Sequence, residues 1–132
     1  SDGKYWTGVG MHILGGKVKT HKGFGEGTSI LVWLTYDPKH YGGDKSTRLQ
    51  VYRSKNDVNM DMKEDITIPE SIFASNSLEI EIDRETGVLT VLMNGNERLS
   101  CDGFSGTEDG LSVVFRALDK AEFSDFRVEE LP

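Results

Sequence analysis

The sequence predicts an all-β protein, a two-sheet antiparallel β-sandwich. Apolar and polar residues alternate with a period of two, and helical periodicity is nearly absent. Gly, Asn and Asp interrupt this alternation at short intervals, as they do between the strands of sandwiches and barrels. The length of 132 residues fits one domain with one hydrophobic core, so residues 1–132 are interpreted as a single unit.

The clearest strands form a predicted meander in the second half of the chain. Leu78–Asp83 places aliphatic side chains on one face and carboxylates on the other. Arg84–Gly87 is typical of a tight turn, and Val88–Met93 follows as the second strand. Asn94-Gly95 is the strongest short hairpin signal, because a type I′ turn needs positive φ at both central residues. Glu97–Cys101 is then the returning strand.

The rest of the chain is predicted from weaker patterns. Ser29–Tyr36 is apolar on both faces, which is typical of a strand at the centre of a sheet. Pro69–Ala74 allows no more than one helical turn. The other predicted strands are Tyr5–Leu14, Thr47–Arg53, a short edge piece at Ile66–Ile68, and a closing hairpin of Leu111–Leu118 with Ala121–Glu129.

Composition limits the classes of partner. The net charge of −7 disfavours nucleic acid, since its binders carry a basic patch, and it favours a neutral ligand. No run approaches the length of a membrane span, so no membrane partner is expected. Cys101 is the single cysteine, which rules out an intramolecular disulfide and favours a packing role. The chain begins at Ser1 without an initiator Met or a signal peptide, which predicts an excised fragment or a processed product of a larger protein.

The C-terminal two-fifths of the chain, Leu78 to Leu131, resembles the concanavalin A-like jelly-roll superfamily. The resemblance rests on the order of strand, glycine turn, strand, Asn94-Gly95 and a last strand at Ala121–Glu129, whose aromatic residues would lock onto the core. The superfamily contains lectins, non-catalytic carbohydrate-binding modules, laminin-G-like adhesion domains, glycoside hydrolases and polysaccharide lyases. The resemblance implies a jelly-roll fold, and it bears on function by analogy only.

Catalytic motifs are weak. Glu79, Glu81 and Asp83 share one strand face, but the spacing Glu-x-Glu-x-Asp departs from the order of jelly-roll glucanases, and a solvated acidic face explains the same letters. An Arg–Tyr–His lyase centre would have to combine Arg48 and Tyr52 with a loop histidine, and the specific strings of lyases are missing. No catalytic residue and no cofactor is predicted. A structural calcium on Asp37, Asp44 and Asp125 is the one metal hypothesis, although the spacing matches no known calcium loop.

The binding interpretation starts from a row of polar side chains. Arg48, Gln50 and Tyr52 alternate along one strand, so they project from one sheet face. A sugar presents an apolar C–H face and a rim of hydroxyls, which aromatic rings and planar polar groups recognise. The candidate ligand-binding residues are Arg48, Gln50, Tyr52, Trp6, Trp33, Tyr41 and Arg116. Trp33 also fits a core position, and Phe104, Phe115, Phe123 and Phe126 are predicted to pack.

The sequence therefore predicts a non-catalytic carbohydrate-binding module. It would hold a covalently linked catalytic domain on a polysaccharide outside the cell, such as a neutral β-glucan of the plant cell wall. Two alternatives stay open: a laminin-G-like adhesion or protein-interaction domain, and a small jelly-roll hydrolase or lyase.

Overall fold

Eight β-strands form two antiparallel sheets in the computed structural model, which describes residues 7–14, 29–37, 46–54, 60–104, 112–118 and 121–129. No helix occurs within these ranges. The strands are β1 Thr7–Leu14, β2 Ser29–Tyr36, β3 Thr47–Ser54, β4 Met60–Ile68, β5 Leu78–Ile82, β6 Leu89–Met93, β7 Asn96–Cys101 and β8 Ser112–Ala117.

The strands follow the chain in two meanders. Sheet A has the order β4-β3-β2-β1-β8, and sheet B has the order β5-β6-β7. Strand β8 returns from sheet B to pair with β1, so the last described strand lies beside the first. All described strand pairs are antiparallel, which confirms the predicted two-sheet sandwich.

The core lies between β2, β3 and β4 of sheet A and the inner face of sheet B. Val32, Leu49, Leu89, Val91 and Met93 are fully buried there. Strand β2 is buried along its whole length, which confirms its prediction as a central strand. The side chains of the two inner faces exclude water from each other, and this burial is the main term that holds two sheets together.

The turn between β6 and β7 confirms the Asn-Gly prediction. Asn94 has φ 53° and Gly95 has φ 83°, the two positive values that a type I′ turn requires. The Asn94 side chain also accepts a hydrogen bond from the backbone N–H of Ser77 at 2.8 Å and donates one to Asn76 at 3.1 Å. The hairpin is thereby fastened to the segment that leads into β5.

Strand β4 is longer than the predicted edge piece. It runs from Met60 to Ile68 at the edge of sheet A, and the register shifts opposite Val51 and Tyr52. A bulge of this kind breaks the period of two, so the polar stretch Met60–Asp65 shows no strand pattern in the sequence. Pro69–Ala74 contains a hydrogen-bonded turn, from Ala74 N–H to Ser71 O at 3.1 Å, and no helix.

The predicted closing hairpin is wrong. Strand β8 pairs with β1, while residues 121–129 are exposed and belong to no strand. Asp125 has φ 53°, which interrupts an extended backbone, and Phe123 and Phe126 are three residues apart rather than two. Phe104 is fully buried as predicted, but Phe115, Phe123 and Phe126 are 37%, 42% and 51% exposed and do not belong to the core.

Candidate functional site

The outer face of sheet A, the face turned away from sheet B, carries most of the predicted ligand-binding residues. Trp33 of β2 pairs with Gln50 of β3 on one side and with Gly10 of β1 on the other. Thr35 and Arg48 are partners in the same register, as are Leu31 and Tyr52. The row Arg48, Gln50, Tyr52 therefore lies beside Trp33 on one face, as its alternation predicts.

A hydrogen-bonded network joins this row to β4. The Tyr52 hydroxyl donates to Gln50 Oε1 at 2.7 Å, and Gln50 Nε2 donates to Asp65 Oδ1 at 3.4 Å. Arg48 Nε donates to the same Asp65 oxygen at 2.9 Å, and its Nη1 donates to Thr67 Oγ1 at 3.3 Å. The network, here called the polar strip, consists of Arg48, Gln50, Tyr52, Asp65 and Thr67. Because Arg48 and Asp65 form an ion pair, these five side chains carry no net charge.

The polar strip is graded in exposure. Gln50 is buried at 3%, whereas Arg48, Tyr52 and Asp65 are half-buried and Thr67 is exposed. Gln50 is thus the floor of the strip. Its rim contains two charged groups, a phenol and a hydroxyl that face solvent in part.

Trp33 projects from this same face and its indole lies over β1. A Cβ added at Gly8 would stand 2.1 Å from indole atom Cζ2, and one added at Gly10 would stand 3.0 Å from Cε3. The indole therefore rests against two glycines of β1, which leave room that any side chain would fill. Trp33 is 6% exposed, so it is buried as its core interpretation expects, but on the face turned away from sheet B and outside the core cluster. A ring so buried offers little surface on which a sugar could stack.

Further residues of the face extend it across β1 and β8. His12 is buried, and Arg116 of β8 is half-buried and pairs with Gly10. Ser29 is 2% exposed, and its hydroxyl has no hydrogen-bond partner among the described residues. Trp6 and Tyr41, which were also predicted to bind ligand, lie outside the described residues, as does Asp44 of the calcium hypothesis.

Sequence reasoning missed Asp65 and Thr67. They lie opposite Gln50 and Arg48 in register, but the bulge within β4 hides that strand from pattern recognition. Part of the signal was present, because Asp65 and Thr67 alternate with Ile66 and Ile68 at the predicted edge piece. An acidic residue next to a strand that carries an arginine is the feature that could have found the pair.

The acidic residues of β5 lie on the other sheet. Glu79 and Glu81 are on the outer face of sheet B, paired with Leu92 and Thr90 of β6. Asp83 accepts hydrogen bonds from the backbone N–H groups of Glu85 at 2.9 Å and Thr86 at 3.2 Å. These bonds, from Thr86 first and then from Glu85, hold the pKa of Asp83 below its usual value. Asp83 is occupied in forming the turn, which favours the structural interpretation of this acidic face over a glycosidase centre.

Cys101 is a packing residue with an unreactive thiol. It is half-buried against the core from β7. Burial, and after it the nearby carboxylates of Glu64 and Asp102, raises the pKa of the thiol to about 11. The thiol stays protonated at neutral pH, so it lacks the thiolate that nucleophilic chemistry needs.

No group of three or more His, Cys, Asp or Glu side chains that could hold a metal ion occurs within the described ranges. Of those residues too, no helix is long and apolar enough to cross a bilayer. Comparison with known proteins found no matching family model, no matching curated protein and no matching solved structure.

Proposed function

We propose that this chain is a non-catalytic carbohydrate-binding module whose glycan lies on the polar strip of sheet A. The observation that carries the proposal is the network from Tyr52 through Gln50 to Asp65 and Arg48. Its members are planar or hydroxyl groups held on a rigid sheet. Groups held in this way lose little conformational entropy when a ligand binds, which lowers the cost of association.

The charge of the strip favours a neutral glycan. Arg48 and Asp65 neutralise each other at 2.9 Å, so neither an anionic nor a cationic ligand gains a net attraction. Sugar hydroxyls donate and accept at once, and they match a rim that contains guanidinium donors, a carboxylate and a phenol. Both hydrogen bonds that Asp65 accepts within the network use Oδ1. Its carboxylate remains half-buried at the rim, where a sugar hydroxyl could donate to Oδ2.

Apolar contact with the sugar ring would come from the β3–β4 end of the strip. Tyr52 is half-buried, and Met62, its partner in register on β4, is 52% exposed. A thioether and a phenol ring side by side can cover the C–H face of a pyranose. Trp33, beside Gln50 in register, is buried against Gly8 and Gly10 of β1 and borders this part of the face.

The wider parts of the proposal are the jelly-roll type of the sandwich, a linked catalytic domain, and secretion to act on plant cell-wall polysaccharide. Two antiparallel sheets with the last described strand beside the first support the jelly-roll type. An extended sheet face supports a chain-like ligand such as a β-glucan, because successive sugars can follow the strand direction.

The test is titration calorimetry, together with affinity gels, on the chain with soluble β-glucan, xyloglucan, mannan and pectin. We expect binding to a neutral glycan and a loss of about tenfold in affinity for Tyr52→Ala, the equivalent of one lost stacking or hydrogen-bonded contact. Ser100→Ala, on the exposed outer face of sheet B, is the matched control and should leave affinity unchanged. The proposal fails if none of the four glycans binds, or if both variants weaken binding equally.

A protein-interaction domain of laminin-G-like type is the second candidate function. The observation in its favour is an exposed aromatic cluster in which Phe115 stacks on Phe123 with ring centroids 4.4 Å apart and meets Phe126 edge-on at 5.0 Å. Exposed clusters of this kind commonly mark protein contacts. Phe126→Ala would weaken such a contact and leave glycan binding at Tyr52 unchanged, which separates the two functions.

A further inference from the structure

Asn94-Gly95 is a chemically labile pair at the tip of the hairpin formed by β6 and β7. Met93 and Asn96 are partners in register, so Asn94 and Gly95 form the whole loop between the two strands. Both residues are exposed, and a Cβ built on Gly95 would meet no described atom within 4 Å. Because glycine has no side chain, its backbone nitrogen is unhindered and can attack the side-chain amide of the preceding asparagine.

The reaction available to this pair is an intramolecular displacement followed by hydrolysis. Gly95 N gives its proton to a base in solvent and forms a bond to Asn94 Cγ. The bond from Cγ to Nδ2 breaks, and Nδ2 takes up a proton and leaves as ammonia. The product is a cyclic succinimide, formed without oxidation or reduction. Water then opens the ring at Cγ, which gives aspartate, or at the backbone carbonyl carbon, which gives isoaspartate.

The native turn holds the reacting atoms apart. The succinimide ring is nearly planar, so ring closure requires Gly95 N to lie on the same side as Cβ about the Cα–C bond of Asn94. The φ values of 53° at Asn94 and 83° at Gly95 are those of a type I′ turn, in which ψ of the first central residue is about +30°. At this ψ the nitrogen is nearly opposite Cβ. Ring closure therefore needs a rotation of more than a right angle, which the turn does not survive.

Hydrogen bonds to the segment before β5 also restrain Asn94. Its backbone N–H donates to Ser77 O at 2.9 Å, and its Oδ1 accepts from Ser77 N–H at 2.8 Å. Its Nδ2 donates to Asn76 Oδ1 at 3.1 Å. Asn76 is itself anchored, because its Nδ2 donates to the carbonyls of Ser71 at 2.7 Å and Ala74 at 3.2 Å. The amide that would be attacked is thus held on the side of Asn76 and Ser77, and opening of the turn breaks these bonds as well.

We propose that Asn94 is a latent deamidation site whose reaction is gated by opening of the turn between β6 and β7. The closed turn prevents ring closure, and each transient opening gives the Asn-Gly pair the reactivity of an unfolded chain. The rate of modification is then the reactivity of the open turn multiplied by the fraction of molecules in which the turn is open. The chain thus records its own local unfolding in a covalent form.

Neither product restores the native contacts of the turn. An aspartate at this position keeps an oxygen for Ser77 N–H but lacks the Nδ2 donor to Asn76. An isoaspartate inserts an additional backbone carbon into a loop whose length fixes the register of β6 and β7. Modified molecules should therefore exchange the amide hydrogens of Ser77 and Asn94 faster than unmodified ones.

The test is ageing of the full chain at mildly alkaline pH, in native buffer and in guanidinium chloride, followed by peptide mass spectrometry that distinguishes aspartate from isoaspartate. We expect Asn94 to react about tenfold more slowly or less in native buffer, since the turn and two side-chain hydrogen bonds must open. In guanidinium chloride Asn94 should react before Asn76 and Asn96, neither of which precedes a glycine. Equal rates of Asn94 in the two conditions would overturn gating. Absence of reaction at Asn94 in guanidinium chloride would overturn the site itself.

Removal of one hydrogen bond to Asn94 is the variant test. Asn76→Ala deletes the acceptor of Asn94 Nδ2 and should speed deamidation in native buffer about fivefold, the equivalent of one net hydrogen bond, without changing the rate in guanidinium chloride. Ser100→Ala, an exposed residue of β7 outside the turn, is the matched control and should leave both rates as they are. An unchanged native rate in Asn76→Ala would refute the restraint by Asn76. Equal acceleration in both variants, or equally faster exchange at the amide of buried Val91, would assign the reaction to global unfolding and refute local gating.

Discussion

The two sides of the sandwich are built differently. On the β4–β7 side, Arg98 of β7 forms an ion pair with Glu70, which follows β4, with Nη2 to Oε2 at 2.7 Å and Nε to Oε1 at 2.8 Å. Arg53 of β3 donates a hydrogen bond to the carbonyl of Gly103 and lies 5.5 Å from the ring centroid of Phe104. On the β1–β8 side, the described contacts include a cluster of exposed rings, in which Phe115 packs against Phe123 and Phe126.

The buried core residues of the strands lie on β2, β3, β4, β6 and β7, whereas Val9 and Ile13 of β1 are half-buried against that core. Strands β1 and β8 of sheet A are held by the pairing of β1 with β2 and with β8. Backbone pairing holds β1 and β8 in the sheet, while burial of side chains in the core stabilises the other strands of sheet A. The β4–β7 side, here called the closed side, should therefore contribute more to stability than the β1–β8 side, here called the open side.

The largest expected effect comes from removing a ring on the closed side. Phe104→Ala should lower the free energy of unfolding by about 3–5 kcal/mol, because Phe104 is fully buried in the core and its loss leaves a cavity. Phe126→Ala, on the open side, should cost about 0.5–1.5 kcal/mol, the value of one exposed ring contact. Urea unfolding of both variants measures the contrast. Similar costs would show that the open side belongs to the core after all.

Much of the closed side could be predicted from the sequence. The meander Leu78–Cys101 has clean alternation and an Asn-Gly turn, so local signals alone define β5, β6 and β7. Strand β2 has the predicted bounds, because eight apolar or small residues fit only a strand buried on both faces. The polar row on β3 was predicted for the same reason: its period is two without interruption.

The open side could not be predicted, because its arrangement depends on long-range pairing. Residues 121–129 contain two phenylalanines and a valine, the composition of a strand, but Asp125 has φ 53° and the edge of β8 stays free of them. The burial of the site residues depends on long-range pairing in the same way. Trp33 was open to two interpretations, and its burial is decided by Gly8 and Gly10 on a strand more than twenty residues away.

A second prediction concerns the outer face of β1, where Gly8 lies against Trp33. Gly8→Ala should cost about 1–3 kcal/mol, because the new methyl group would stand 2.1 Å from the indole of Trp33 and forces it to move. The same change in a Trp33→Leu background should cost less, since a leucine can yield where the indole cannot. A double-mutant cycle from urea unfolding measures the coupling. Additive costs would mean that the indole is not what Gly8 accommodates.

Met11→Ala, on the inner face of β1, is the comparison for Gly8→Ala. Met11 is half-buried, so its truncation should cost less than the 2–5 kcal/mol typical of a buried methionine. The pair of variants separates the buried outer face from the half-buried inner face within one strand. A loss for Met11→Ala as large as that of a core residue would show that the inner face is covered in solution.

The smallest expected effect is the pH dependence of the ion pair between Arg98 and Glu70 on the closed side. Arg98 lowers the pKa of Glu70 below its ordinary value of 4.5, chiefly through their side-chain hydrogen bonds. Because the folded state favours the charged carboxylate, this stabilisation is complete above pH 4.5 and is lost as the pH falls through the lower, folded-state pKa. The stability advantage of the native protein over Glu70→Gln should therefore be present at pH 7 and shrink on acidification.

Urea midpoints of the native protein and Glu70→Gln, measured from neutral pH down to below the ordinary pKa of the carboxyl, check this prediction. In an Arg98→Met background the same substitution should show little dependence on pH, because the hydrogen bonds that lower the pKa are gone. If the stability difference between the native protein and Glu70→Gln persists without Arg98, or stays constant with pH, the ion pair does not stabilise the closed side. Stability there would then rest on buried side chains such as Phe104 and Leu99 alone.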